Sequence, residues 1–93
     1  MTTTMKMTTL ARSFPTLAAA EGVASWNPVL LDRWACGPAP GSGALAAPQF
    51  VLSVWNGTSN WKCGRFDALD GLACWDRHHR EAFLAWAGEP WWP

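Results

Sequence analysis

A chain of 93 residues holds one domain, near the size at which a single hydrophobic core is marginal. Seven basic and seven acidic side chains cancel, so there is no basic stripe to neutralise phosphates, which argues against general nucleic-acid binding. No run of about 18 apolar residues occurs, which excludes a transmembrane helix and leaves no membrane partner expected.

Eight Trp set this composition apart. Each buries about 150–250 Å², so a few of them can replace a larger aliphatic core. The same residue type is enriched at binding hot spots. Ile and Tyr are absent while Ala, Gly, Pro, Arg and Trp are plentiful, a bias that GC-rich codons produce and that points to a bacterial or phage genome. The three cysteines, Cys36, Cys63 and Cys74, are odd in number and contain no Cys-x-x-Cys pair. They make a poor disulfide framework and suggest a reducing, cytoplasmic setting.

Residues 1–9 are Thr-rich and show no hydrophobic face, which predicts a disordered leader. Arg12 and Pro15 interrupt the apolar stretch that an export signal needs. Ser13 ahead of Phe14-Pro15 is a helix-start signal, and the helix would run over 16–21 and stop at Gly22. Asn27-Pro28 is a second start. Trp26, Leu30 and Trp34 follow at i, i+4 and i+8, and Gly37-Pro38 ends the segment. Together residues 10–37 read as a helical hairpin. The stretch 38–48, PAPGSGALAAP, is uncharged and punctuated by Gly and Pro, and reads as a flexible connector.

Residues 49–56, QFVLSVWN, are rich in β-branched and aromatic side chains and predict a strand. Phe50, Leu52 and Val54 would share one face, with Val51, Ser53 and Trp55 on the other. Asn56-Gly57 is the strongest hairpin-turn signal, with 60–66 as the partner strand. Asp67 then caps a short helix over 68–75, weakened by Gly71. Asp76 caps a cleaner helix over 77–87, free of Gly, Pro and β-branched residues. Trp75, His79, Ala82, Phe83 and Trp86 fall on one face of it, and Arg77–Glu81 and Asp76–Arg80 can pair four apart. Gly88 is placed for a left-handed stop, Pro90 forbids continuation, and Trp91, Trp92 and Pro93 follow. The expected fold is therefore α+β: a single small domain over 10–93, with two N-terminal helices, a β-hairpin, two C-terminal helices and a Trp-rich tail folded back on them. The 77–87 stripe would cover the hairpin face of Phe50, Leu52 and Val54.

Chemistry has few places to sit. His78 and His79 lie near Asp67, Asp70 and Asp76, and Ser53, Ser59 or Cys63 could be nucleophiles, but none stands in a nucleophile-elbow or catalytic-Cys context. His79 reads as a core histidine, and no catalytic residue is assigned. Cys36, Cys63, Cys74 and His78 would supply a Cys3His zinc set, yet the close ligand pair of a structural zinc site is missing, so no metal and no cofactor is expected. Asn56-Gly57-Thr58 matches a glycosylation sequon and is read as a turn. Trp55, Trp61, Lys62, Arg65 and Phe66 interleave aromatic and basic side chains on the expected hairpin, the basis of an alternative reading as a single-stranded nucleic-acid binder. The zinc set is the other alternative.

Pro90-Trp91-Trp92-Pro93 is letter for letter the tetrad that names the PWWP family of chromatin readers, where it lies inside a β-barrel. The likeness covers four residues, and no fold, activity or binding residue is carried over from it. The expectation is a non-enzymatic protein-interaction module of adaptor or inhibitor type. Its aromatic surface would comprise Trp55, Trp91 and Trp92 with Arg77 and Arg80, and it would meet another protein or a second copy.

Overall fold

The computed structural model of the chain describes residues 2–37 and 42–93. Its elements are α1 (Thr3–Arg12), a 3-10 turn (Pro15–Leu17), α2 (Pro28–Ala35), α3 (Ser42–Trp55), α4 (Ala68–Cys74) and α5 (Arg77–Gly88). No strand occurs among the described residues, so the architecture is all-helical and the expected α+β fold with its β-hairpin is wrong.

The error lies in α3. A continuous apolar run fits a buried strand or a buried helix equally well, and only length decides between them. Here the run extends back through Leu45, Ala46, Ala47 and Pro48 into one helix of 14 residues. Ala46, Ala47, Pro48, Phe50, Val51, Leu52 and Val54 are all buried. A helix that is apolar all round belongs in the middle of a domain, and α1, α2, α4 and the 3-10 turn pack against it. Pro48 removes one intrahelical hydrogen bond, a loss the surrounding burial outweighs. Residues 42–48 of the expected connector thus belong to α3, with Ala46, Ala47 and Pro48 in the core, and 38–41 lie outside the described residues.

From Thr3 on, the expected leader is also helix, and Met1 lies outside the described residues. Thr2 caps α1, its hydroxyl accepting from the Met5 N–H. Met7, Leu10, Ala11 and Phe14, at i, i+3, i+4 and i+7, are buried, and that stripe docks a helix too short to persist alone. The helix expected over 16–21 shrinks to the 3-10 turn. Gly22 follows with a φ of 83°, and the Asn27 N–H donates to its carbonyl at 2.8 Å. The Thr8 hydroxyl donates to the Val23 carbonyl at 2.7 Å and ties this turn to α1.

Asn27 caps α2 as its sequence predicts, accepting from the Leu30 N–H at 3.1 Å. Asn56-Gly57 forms no hairpin. Asn56 Oδ1 accepts from the Thr58 N–H at 3.1 Å and hydroxyl at 2.8 Å, a local turn that ends α3. Residues 56–67 are a loop, pinned from two helices. The buried Asp32 of α2 accepts from the N–H groups of Lys62 at 3.0 Å and Cys63 at 2.9 Å. Gln49 Nε2 of α3 donates to the Cys63 carbonyl at 2.7 Å.

Asp67 and Asp76 cap α4 and α5. Trp75, between the two, is 4% exposed and meets Phe14 at 5.4 Å and Phe66 at 5.6 Å between ring centroids. The α5 stripe of His79, Ala82, Phe83 and Trp86 faces inward, and Phe50 meets Phe83 at 5.2 Å and Trp86 at 5.1 Å. The stripe therefore covers Phe50 as expected, but on a helix rather than a hairpin. Aromatic edges against faces at these separations are the favoured geometry. The result is a body of 31 × 29 × 25 Å, whose aromatic core takes the place of a larger aliphatic one.

Candidate interaction surface

Helix α5 runs through Gly88, whose φ is not positive, so the expected left-handed stop does not form. Glu89 instead leaves the helix with its N–H donating to the Trp86 carbonyl at 3.2 Å, and Pro90 turns the chain away. The tail then folds back. Trp86 Nε1 donates to the Trp91 carbonyl at 3.0 Å, and the Lys6 ammonium of α1 lies 4.3 Å from the centroid of the Trp91 ring. Trp92 stands edge-on to Trp86 at 5.4 Å, yet is 63% exposed.

Two shallow, mainly apolar grooves flank Trp86. One, of about 310 Å³, lies between α1 and α5, with Trp91 among its lining residues. The other, of about 270 Å³, lies between α3 and α5, with Phe50, Phe66, Phe83, Trp86 and Trp92 along it. Phe50 belongs to the core, and Phe66, Phe83, Trp86 and Trp91 pack against it, so most of the surface is formed in advance of any partner.

The predicted site residues divide. Trp91 and Trp92 come together over Trp86. Trp55 lines neither groove and packs edge-on to Trp26 at 5.5 Å. Arg77 pairs with Glu81 at 2.8 Å on the wet side of α5, and Arg80, also exposed, lines neither groove. Lys6, Leu10, Phe83 and Trp86 were not foreseen as part of the surface. The readable signal was the Met7, Leu10, Ala11 and Phe14 spacing, which makes α1 a wall rather than a leader.

The expected Asp76–Arg80 pair is replaced by Asp76–His79. Asp76 Oδ1 accepts from the His79 N–H at 3.0 Å and lies 2.8 Å from its Nδ1. The Thr16 N–H points at Nε2 from 3.4 Å and the Thr16 hydroxyl is 3.0 Å away, so Nε2 accepts and Nδ1 carries the proton to Asp76. That chain clamps the 3-10 turn to α5. The His79 backbone N–H, then its ring, hold the Asp76 carboxyl below its ordinary value.

Cys36 and Cys74 are exposed and Cys63 is buried. Burial, then the Asp32 carboxylate, push the Cys63 thiol up to about 12, the condition of an inert thiol. Among the described residues no three His, Cys, Asp or Glu side chains gather as a metal would need, so Cys36, Cys63, Cys74 and His78 are not assembled into a site. The hairpin face that would have presented Trp55, Trp61, Lys62, Arg65 and Phe66 to nucleic acid is absent too. Phe66 packs inward on Phe50 at 5.2 Å, and Arg65 Nη2 donates to the Gly57 carbonyl at 3.4 Å. No described helix is long and apolar enough to cross a membrane. No protein-family model, curated protein or solved structure matches the chain.

Proposed function

We propose that this chain is a small non-enzymatic protein-interaction domain of adaptor or inhibitor type, whose contact surface is the C-terminal tail centred on Trp92. The observation that carries the reading is a Trp 63% exposed yet seated on the core through Trp86. A large aromatic held in place, beside an aromatic groove, loses little conformational entropy on binding and has much area to bury. The flanking Pro90 and Pro93 restrict the backbone of the segment further. His79, buried with both ring nitrogens occupied, supports a structural rather than a catalytic role. The unpaired cysteines fit a reducing compartment such as the cytoplasm.

A random-peptide library selected against the folded chain tests the proposal. Selected peptides should lose about thirtyfold in affinity on Trp92→Ala, the scale of a hot spot, and keep their affinity on Trp55→Ala. The melting temperature of Trp92→Ala should hold within a few degrees, because most of the ring is already in water. Peptides that bind Trp92→Ala as tightly as the parent chain would refute the reading.

A further inference from the structure

The groove between α1 and α5 has a chemical preference of its own. Leu10 and Ala82 are buried beneath it, Ala85, Trp86 and Trp91 line it, and Lys6 is its one charged lining residue. The ion pairs among the described residues are Arg33–Glu21 and Arg77–Glu81, and Asp76 is hydrogen-bonded to His79, so Lys6 has no carboxylate partner there. No acidic residue precedes Glu21 in the chain, and neither Glu81 nor Glu89 lines the groove.

The other polar groups of the lining are already engaged or are donors. The Thr9 and Ser13 hydroxyls donate to their own helix at the Met5 carbonyl, 2.9 Å, and the Leu10 carbonyl, 2.5 Å. Trp86 Nε1 is held by the Trp91 carbonyl. Lys6 Nζ and Trp91 Nε1 remain as side-chain donors with no acceptor among the described residues. They lie beside one another, since the ammonium sits over the Trp91 ring. The groove is open rather than enclosed, which suits a segment of chain better than an enclosed small molecule.

We infer that this groove receives an acidic, apolar segment of the partner protein. Its carboxylate meets Lys6 beside Trp91, and its apolar side chains lie on Leu10, Ala82 and Trp86. The inference rests on the tail being a protein-contact surface, because a partner that covers Trp92 reaches the groove across Trp86.

The test is the composition of peptides selected from a random library by the full chain, followed by charge reversal. Selected peptides should combine Asp or Glu with aromatic or aliphatic residues. Their affinity should fall about tenfold on Lys6→Glu and about threefold on Lys6→Met, and should weaken with added salt. Replacing the acid of the peptide with Lys should reverse the preference in favour of Lys6→Glu. Circular dichroism confirms that each variant is folded; if Lys6→Glu is not, the Lys6→Met comparison carries the test. Peptides that need Trp92 but show no acid preference and bind both Lys6 variants like the parent chain would overturn the inference and leave the tail reading intact. A selection that yields no Trp92-dependent peptide would overturn both.

Discussion

At the scale of single residues, the fold depends on a few buried polar groups that each join distant segments. Asp32 is 7% exposed and holds two N–H groups of a loop thirty residues on. Asp32→Ala leaves a buried Cys63 N–H without a partner and should cost roughly 2–4 kcal/mol, lowering the melting temperature by about 10 °C or more. Thiol titration gives a second readout. In the parent chain Cys36 and Cys74 should react with an aromatic disulfide reagent, while Cys63 reacts only in denaturant. In Asp32→Ala all three should react without it. Asp76 gives a pH signature. Its folded carboxyl titrates below the ordinary value of 3.8, so its charge contributes stability above about pH 3.8, lost as pH falls through the lower folded value. Asp76→Asn, which can still cap α5, should melt below the parent chain at pH 6, and the two melts should converge in acid. A constant gap across that range would show that the charge is not what matters.

At the scale of elements, legibility followed the strength of the local signal. The caps of α2, α4 and α5 were plain, because Asn27, Asp67 and Asp76 each satisfy a free N–H within the same turn. Helix α3 was not, because its run 49–55 carries no polar alternation and its identity depends on what surrounds it. Four elements pack against it, a circumstance that no window of sequence contains. Helix α1 could have been read from its buried stripe, but its many Thr residues hid the period. Gly71 looked like a weakness in α4 and has a packing reason. A Cβ there would come 2.8 Å from Phe66 Cε1, in a ring already packed on Phe50 and Trp75. Gly71→Ala should therefore destabilise by about 1 kcal/mol despite its better helix propensity. Gly22→Ala should cost more than about 2 kcal/mol, since φ is positive and the Cβ would meet the Asn27 carbonyl. Gly88→Ala meets nothing and should gain about 0.5 kcal/mol. Urea unfolding of the three variants checks that order.

At the scale of the whole molecule, the eight Trp divide their work. Trp75 is core, Trp86 links core to surface, and Trp91 and Trp92 lie over it. The Trp pair stood out in the sequence, but the company it keeps did not. Trp55 belongs with it only through a hairpin that does not form, and Arg77 and Arg80 of α5 line neither groove, whereas Lys6 and Leu10 reach it from the far end of the chain. Labelling the chain with fluorinated Trp and following each ring by fluorine NMR, as a selected peptide is added, tests the division directly. The resonances of Trp86, Trp91 and Trp92 should move while those of Trp26, Trp55 and Trp75 stay in place. Shifts centred on Trp26 and Trp55, with Trp92 unmoved, would contradict the account.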